Sequence, residues 1–240
     1  MFKGKKVIIF DMDGTLIDSI GIWNEVDNLL IKKLGFTGEV ESDIIQKQRD
    51  ETLRTYSKSE NPYLDYCKLL GKRYNSQLTA EEILNLRYNV AQDYLKNIID
   101  YKPNVDKFLK KLKEKNFILA IASTTRKSNM DIYRTKNTNI INKAKLDEYF
   151  SVIYTRENAK EIKPSPEIYL KVIETLKVKK EDCLIFEDSL IGIESAKNAG
   201  ISCVAIYDKY SDMVREQINK LSDYQLNDYS EAIQILDSII

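Results

Sequence analysis

Two aspartates separated by one residue, Asp11 and Asp13, stand near the start of the chain and are followed by Gly14. They come directly after Val7–Phe10, a wholly apolar and β-branched-rich segment that predicts a strand buried in a parallel sheet. Because the carboxyl ends of parallel strands face the ligand crevice, we expect both carboxylates at a binding site. Paired carboxylates at a sharp turn can serve a hard cation and a phosphoryl group, although solvated turns and calcium loops have similar sequences.

A hydroxyl cluster, Ser123-Thr124-Thr125-Arg126, follows the apolar segment 117–122, which predicts another strand. A hydroxyl group followed by free backbone amides at the start of a helix favours the binding of a phosphate. Serine and threonine are also the usual residues at a helix N-terminus, so the cluster alone does not separate an anion site from a simple cap.

A candidate cation, Lys163, precedes the segment Pro164-Ser165-Pro166. A proline holds the residue before it extended, and Ser165 and Pro166 suit the N-cap and first positions of a following helix. A cation at this position could neutralise charge on a transferred phosphoryl group. In isolation, however, the motif favours a surface lysine ahead of a helix.

Adjacent acids, Glu187 and Asp188, directly follow the apolar segment 184–186. Neighbouring buried carboxylates are costly unless a cation compensates them, and Mg²⁺ with oxygen ligands is the natural choice. Acidic residues also stabilise the start of a helix, which is the alternative explanation. Four such motifs, each at the end of a predicted strand, together indicate a single site.

The elements that must position these motifs alternate along the second half of the chain. Strand-like segments recur after Lys115, at 117–122, Val152–Tyr154, 184–186 and 203–206, and helical patterns separate them. This alternation predicts an open α/β sheet.

Residues 16–99 contain almost no strand signal. Apolar residues at helical spacing predict one helix, and they are Trp23, Val26, Leu30 and Leu34. Gly35 is placed to end this helix. Thr79 and Glu82 resemble a capping box that opens another helix. That helix is expected to turn four residues inward, namely Ile83, Val90, Tyr94 and Ile98. The stretch predicts a helical module inserted after the first strand.

The composition limits the classes of function. The chain has 240 residues, of which 43% are hydrophobic, so it can bury a full core and a modest second module. Its 37 basic and 37 acidic residues cancel, so we expect a small soluble substrate rather than a nucleic acid or a membrane as partner. The absence of histidine excludes serine hydrolase triads, cysteine–histidine pairs and histidine-ligated metal sites.

The cysteines Cys67, Cys183 and Cys203 are odd in number and lack the paired spacing of a metal site. We expect reduced, packed thiols in a cytoplasmic protein. The first apolar segment is too short for a signal peptide, and no later apolar run is long enough for a bilayer. A monomer or a weak homodimer is expected.

The four motifs resemble those of the haloacid dehalogenase superfamily in the family's own order, which is DMDGT, the hydroxyl of IAST, the lysine of KPSP, and FEDS. The resemblance covers essentially the whole chain and is closest to the branch of β-phosphoglucomutase-like enzymes and small-metabolite phosphatases. It implies a Rossmann-like parallel-sheet core at residues 1–15 and 100–240. It also implies an α-helical cap inserted at residues 16–99, with hinges near 14–18 and 99–103.

The resemblance implies a role for each motif residue. Asp11 would attack phosphorus and form an aspartyl-phosphate, while Asp13 would act as general acid and then as general base. Ser123 and Lys163 would hold the phosphoryl oxygens. The implied cofactor is Mg²⁺, and its implied ligands are Asp11, the backbone carbonyl of Asp13, Asp188 and Glu187.

Substrate contacts are predicted for Thr124 and Arg126 beside the second motif, and for Arg49. The segment around Arg49 loosely resembles the cap loop that grips the substrate phosphate in the mutases, although it lacks the glycine and serine of that loop. An ion pair with a neighbouring acid on the helix face is the alternative for Arg49. The stretch 126–150 is longer than expected for the β-phosphoglucomutase-like branch. The resemblance therefore does not indicate which of its residues contact the substrate.

The leading prediction is a Mg²⁺-dependent phosphatase that hydrolyses a phosphate monoester of a small sugar or related metabolite. A sugar phosphomutase is the first alternative, but Gly14 is followed by Thr15-Leu16, which resembles the phosphatase version of the motif. A non-catalytic binder of a phosphorylated ligand is the second alternative. A pure binder would have no need for an adjacent nucleophile and acid.

Overall fold

The computed structural model of the chain describes residues 1–238, so the last two residues of the predicted core segment 100–240 lie outside the described residues. Within 1–238 the strands are β1 (Val7–Phe10), β2 (Ile118–Ala122), β3 (Val152–Tyr154), β4 (Cys183–Glu187), β5 (Ser202–Ile206) and β6 (Tyr224–Leu226). They form one parallel sheet in the order β3-β2-β1-β4-β5-β6. The order reverses beside β1, so the carboxyl end of β1 lies at the topological switch point where ligands bind.

The strands β1 to β5 match the strands predicted from the sequence to within one residue at each end. Strand β6 was not predicted, because only Leu226 of its three residues is buried and so it lacks an apolar run. Alternate residues of β1 face opposite sides of the sheet, with Ile8 and Phe10 in one apolar cluster and Val7 and Ile9 in the other. The α/β class predicted from the sequence is confirmed.

The first four helices after β1 are here called the cap helices. They are α1 (Ile20–Lys33), α2 (Ser42–Thr55), α3 (Pro62–Arg73) and α4 (Ala80–Asp93). Helix α1 ends before Gly35, whose φ of +99° suits a glycine, and Thr79 and Glu82 form the predicted capping box. The cap helices enclose an apolar cluster of their own, which includes Leu30, Ile45, Leu70 and Ile83.

The end of α4 departs from the predicted helix. A π-helical turn at Tyr94–Ile98 follows α4 and inserts extra backbone into the helical repeat. This shifts the buried face, so Leu95 and Ile99 are buried while Ile98 is 53% exposed. The prediction that Ile98 points inward was therefore wrong.

The two connections between the cap helices and the sheet pair with each other. Ile17 and Tyr101 form an isolated antiparallel bridge, and the N–H of Asp18 donates to the carbonyl of Asp100 at 3.0 Å. The N–H of Lys102 donates to the carbonyl of Leu16 at 2.9 Å. These bonds lie where the hinges are expected, and the division into domains at 16–99 stays a prediction.

The remaining α-helices of the described chain flank the sheet. They are α5 (Val105–Glu114), α6 (Lys127–Thr135), α7 (Thr138–Ala144), α8 (Leu146–Tyr149), α9 (Glu167–Leu176), α10 (Leu190–Ala199), α11 (Arg215–Leu221) and α12 (Tyr229–Asp237). Helix α9 begins at Glu167 with Pro166 as its N-cap, so the prediction of Ser165 as N-cap was one residue early. No helix of residues 1–238 combines the length and the apolar character needed to cross a bilayer.

The unusually long stretch 126–150 consists of the three short helices α6, α7 and α8. It is anchored by Asn137, a buried residue whose side-chain amide donates to the carbonyl oxygens of Leu95 at 2.7 Å and Ile99 at 2.9 Å. The stretch therefore braces the π-helical turn that leads out of the cap helices.

Candidate active site

Three carboxylates and one lysine meet at the carboxyl edge of the sheet. Asp11 directly follows β1, Glu187 ends β4, and Asp188 comes next in the chain. Each offers an oxygen that lies within 4.8 Å of the others, and all three residues are buried. The ammonium group of Lys163 donates to Asp11 and, at 2.6 Å, to Glu187. The lysine thus lies between the ends of two neighbouring strands.

The charges of this cluster do not balance. Burial, opposed by Lys163 and reinforced by Glu187, raises the pKa of Asp11 to about 7. Burial also raises the pKa of Asp188 well above its ordinary value, with Glu187 and Asp208 adding to the effect. Burial alone would lower the pKa of Lys163, but Asp11 and Glu187 outweigh it and raise the pKa. The raised pKa values show that one lysine does not compensate three ionised carboxylates, so either protons or a further cation must offset the excess negative charge.

The donor set fits a divalent cation that prefers oxygen ligands. All the cluster's donors are carboxylates, with neither sulfur nor imidazole among them, which suits Mg²⁺ rather than zinc. A Cβ atom at Gly14, where φ is +79°, would lie 2.3 Å from a carboxylate oxygen of Asp188. A Cβ atom at Gly192 would lie 2.0 Å from the Glu187 carboxyl carbon. Glycine at both positions lets the backbone pack directly against the acids.

Hydrogen bonds from neighbouring side chains orient Glu187 and Asp188. The Tyr169 hydroxyl donates to Glu187 at 2.6 Å, and the Thr15 hydroxyl donates to Asp188 at 2.6 Å. Thr15 stands four residues after Asp11, and Tyr169 lies on α9 behind Lys163. Neither contact was predicted, because the motifs give the acids but not the donors that hold them.

The second aspartate of the first motif, Asp13, is held apart from this cluster by three donors. Its Oδ1 accepts from the Ser19 hydroxyl at 2.6 Å and from the Trp23 indole N–H at 3.0 Å. Its Oδ2 accepts from the Thr125 hydroxyl. The indole can only donate, whereas a hydroxyl can also accept, so a proton on Asp13 is favoured on Oδ2. Ser19 was not predicted at this site, Thr125 was predicted only as part of the hydroxyl cluster, and Trp23 was predicted only on an apolar helix face.

The hydroxyl cluster of the second motif lies at the end of β2, beside Asp13. Ser123 is buried, and its hydroxyl oxygen accepts from the N–H of Thr125 at 3.1 Å. Helix α6 begins three residues after Thr124, with Arg126 as its N-cap. The Arg126 guanidinium lies over the Tyr88 ring, 4.9 Å from its centroid, and so contacts a cap helix.

A cavity of about 670 Å³ separates the sheet edge from the cap helices. Of the predicted site residues, those that line it are Asp11, Asp13, Arg49, Thr124, Arg126, Lys163 and Asp188. Ser123 and Glu187 are buried behind this surface. The cap helices contribute the aromatic side chains Trp23, Tyr63 and Tyr88. The cavity is hereafter called the chamber.

Contacts on both sides of the chamber hold the cap helices over the sheet. Arg54 pairs with Glu194 at 2.6 Å, and the Gln46 side chain donates to the carbonyl of Tyr210 at 2.8 Å. On the other side, Arg156 donates to the carbonyl of Glu60 at 2.8 Å. The structure therefore shows the cap helices in contact with the sheet domain around the site.

Arg49 lines the chamber, but its charge is shared with a buried acid. It pairs with Asp27 of α1 at 2.8 Å and donates to the Asn24 side-chain oxygen at 2.9 Å. Its neighbour in sequence, Asp50, is 3.9 Å away. The main ion pair joins two helices rather than one helix face, and substrate binding by Arg49 stays a prediction. Arg87 of α4 binds the same Asp27 through two donors, at 2.5 and 3.2 Å.

Asp27→Asn should lower the free energy of unfolding by about 3–5 kcal/mol, because it leaves two buried guanidinium groups without their shared carboxylate. Burial alone would raise the pKa of Asp27, but Arg87 and Arg49 outweigh it and hold the pKa below its ordinary value. An acid with a depressed pKa stabilises the fold above the pKa of the unfolded group, about 3.9, and this contribution is lost as the pH falls. Urea unfolding from about pH 7 to about pH 3 should therefore show the difference from wild type shrinking in acid.

The exposed Asp93→Asn variant is the control for Asp27→Asn, and it should change the free energy of unfolding by less than about 0.5 kcal/mol. A stability difference for Asp27→Asn that persisted unchanged into acid would contradict the proposed role of its charge.

Comparison with known families decides what kind of protein carries this site. The family model for haloacid dehalogenase-like hydrolases matches residues 8–206. The chain belongs to this family. This match confirms the predicted superfamily and the prediction that the protein is an enzyme.

Its relatives include characterised phosphatases. A phosphorylated carbohydrates phosphatase of Thermotoga maritima is 29% identical over 82% of both chains. A glyceraldehyde 3-phosphate phosphatase of Pyrococcus furiosus is 25% identical and covers 97% of this chain and 93% of its own. The solved structure of a predicted phosphoglycolate phosphatase from Haemophilus somnus has a TM-score of 0.76 at 20% identity, covering 98% of this chain and 99% of that one. This structural similarity confirms the fold.

Proposed function

We propose that this haloacid dehalogenase-like hydrolase is a Mg²⁺-dependent phosphatase of a small phosphorylated metabolite. A sugar phosphate is the favoured substrate. The observation that carries the proposal is the arrangement of Asp11, Asp13 and Lys163 on the floor of one chamber. The relatives that act on phosphorylated carbohydrates and on glyceraldehyde 3-phosphate support it. The buried, free cysteines are compatible with a reducing, cytoplasmic location.

In the proposed first step, a carboxylate oxygen of Asp11 attacks phosphorus and the bond to the leaving oxygen breaks. Asp13 gives its proton from Oδ2 to that oxygen, which leaves as a hydroxyl group. The product on the enzyme is an aspartyl-phosphate at Asp11. Lys163 and the Ser123 hydroxyl hold the phosphoryl oxygens, where the fixed ammonium group offsets their charge.

In the proposed second step, Asp13 takes a proton from a water molecule that attacks the aspartyl-phosphate. Inorganic phosphate leaves, and Asp11 and Asp13 return to their starting states. Asp11, Glu187, Asp188 and the backbone carbonyl of Asp13 would hold a Mg²⁺ ion, whose charge would offset that of the phosphoryl group. The cap helices limit bulk water around these groups, which strengthens the electrostatic contacts.

Phosphate release from p-nitrophenyl phosphate should require Mg²⁺, cease in EDTA and return when Mg²⁺ is added back. Asp188→Ala should raise the Mg²⁺ concentration needed for half-maximal activity by at least about 10-fold, since it removes a carboxylate from the cluster. The measurement is steady-state phosphate release across a Mg²⁺ titration, with far-ultraviolet circular dichroism as the check on folding.

Asp182→Ala is the matched control for Asp188→Ala, because Asp182 precedes the opposite end of β4 and pairs with Lys6. It should leave the Mg²⁺ requirement unchanged. Full activity in EDTA would contradict metal dependence.

Conversion of β-glucose 1-phosphate to glucose 6-phosphate in the presence of glucose 1,6-bisphosphate, with little phosphate released, would show that the protein is a mutase and not a phosphatase. No turnover of any phosphate ester would favour a non-catalytic binder.

A further inference from the structure

Asn129 is a buried polar side chain in the chamber that none of the proposed steps uses. It lies in the first turn of α6, is 3% exposed and lines the cavity together with Asp13 and Thr125. Across residues 1–238 no hydrogen bond is made by its side-chain amide, although its backbone N–H bonds normally within the helix. Among the described residues, the side-chain atoms that are both fully enclosed and unpaired belong to other residues, so the Asn129 amide faces the open space of the chamber.

The Asn129 amide is available to a ligand. A carboxamide offers two donors and an acceptor, and no group of residues 1–238 pairs with them. The neighbouring residues Met130 and Tyr133 of α6 fill the apolar core, so an apolar side chain at 129 would match its helix. The unpaired amide is therefore most simply explained as a group that a ligand satisfies.

The surroundings of Asn129 indicate the chemistry of that ligand. The lining of the chamber also includes three rings from the cap segment, those of Trp23, Tyr63 and Tyr88, and the Tyr63 hydroxyl makes no hydrogen bond within the described chain. Arg87 stacks on the Trp23 ring at 4.6 Å from its centroid. Aromatic faces suit the C–H surface of a carbon skeleton, while a free amide and a free hydroxyl suit its hydroxyl or carbonyl groups.

We propose that Asn129 is a specificity-determining residue that hydrogen-bonds a hydroxyl or carbonyl group on the carbon skeleton of the substrate. The chain thereby selects polyhydroxylated phosphate monoesters over aryl phosphates that lack such groups. Its amide can accept from one hydroxyl and donate to the next, which matches the adjacent hydroxyls of a sugar. This inference rests on the proposed phosphatase function. It adds that Asn129 recognises the leaving group, which is the carbon skeleton of the substrate.

The test compares two substrate types in wild type, Asn129→Leu and the control Ser128→Ala, an exposed neighbour on the same helix turn. The substrates are a panel of hexose and pentose phosphates and p-nitrophenyl phosphate, all assayed with Mg²⁺. Asn129→Leu should lower kcat/KM for the best sugar phosphate by about 5- to 150-fold, the equivalent of ~1–3 kcal/mol. It should change kcat/KM for p-nitrophenyl phosphate by less than about twofold, because that ester offers the amide no hydroxyl.

A second readout separates specificity from folding. Asn129→Leu should keep the thermal midpoint close to that of wild type, because the Asn129 side chain makes no hydrogen bond within residues 1–238. Equal losses on both substrate types, or a lowered midpoint with unchanged selectivity, would overturn the inference. Wild-type turnover of p-nitrophenyl phosphate but of no sugar phosphate would overturn it and leave the phosphatase intact. Turnover of neither substrate would remove the proposed function and the inference with it.

Discussion

Asp11→Asn should abolish phosphate release, by on the order of 10⁴-fold or more, while leaving the fold intact. The asparagine amide has the shape of the carboxylate and can still accept a hydrogen bond from Lys163, but it cannot attack phosphorus. In EDTA the variant should be at least as stable as wild type. The pKa of Asp11 is raised to about 7 by burial, so its ionised form costs stability and a neutral amide does not.

The measurement is steady-state phosphate release together with the thermal midpoint in EDTA. Asp106→Asn on α5 is the control, since Asp106 lies on the first turn of that helix and outside the chamber lining. It should retain wild-type turnover. Turnover by Asp11→Asn close to that of wild type would reject Asp11 as the nucleophile, whatever the stability of the variant.

The sheet was predictable because its strands are short apolar runs bounded by polar residues. Val7–Phe10 and Cys183–Glu187 are buried along their whole length, so their pattern in the sequence is continuous. The edge strand Tyr224–Leu226 has one buried residue and offers no such run. The inward face of α4 was predicted correctly at Ile83, and Val90 and Tyr94 pack against the core as expected. The π-helical turn then shifts the buried face at Ile98 in a way that helical spacing does not encode.

The site was predictable to the extent that its residues follow strands. Asp11, Glu187 and Asp188 meet because parallel neighbouring strands bring their carboxyl ends together. The donors to Asp13 could not be predicted in this way. Trp23 satisfies the apolar periodicity of α1, and only the tertiary position of that helix turns its indole N–H toward Asp13.

The cap contacts were the least predictable part of the site. A segment around Arg49 could be compared with a phosphate-binding loop, but the partner of Arg49 is Asp27, a residue distant in sequence on another helix. Asn129 belongs to none of the four motifs. It was identified because its side chain lines the chamber without a hydrogen-bond partner in the described chain, and this is a property of the fold. Selectivity for a substrate depends on such tertiary features more than on the four motifs.

Lys163→Met should lower kcat/KM for phosphate release by about 10²- to 10³-fold and also destabilise the fold. It leaves the buried carboxylates of Asp11 and Glu187 without their ammonium partner. Removing one partner of a buried ion pair costs about 3–5 kcal/mol, which should appear in urea unfolding measured in EDTA. Lys171→Met is the control, because Lys171 forms a partly exposed pair within α9 and should cost less than about 1 kcal/mol.

The double variant Lys163→Met/Glu187→Gln tests the structural contribution of Lys163, while its activity also reflects the loss of Glu187, one of the proposed Mg²⁺ ligands. It removes the charge of Glu187, one of the two carboxylates that lose their ammonium partner. The side-chain oxygen of the introduced glutamine can still accept a hydrogen bond from the Tyr169 hydroxyl. Stability in EDTA should therefore recover in large part, because a neutral amide with a hydrogen bond replaces an unpaired carboxylate. Phosphate release should remain low, because no ammonium group is left to offset charge on the phosphoryl oxygens and one proposed Mg²⁺ ligand is missing. If activity returned together with stability, Lys163 would only support the fold, and charge neutralisation during transfer would have to come from elsewhere in the chamber.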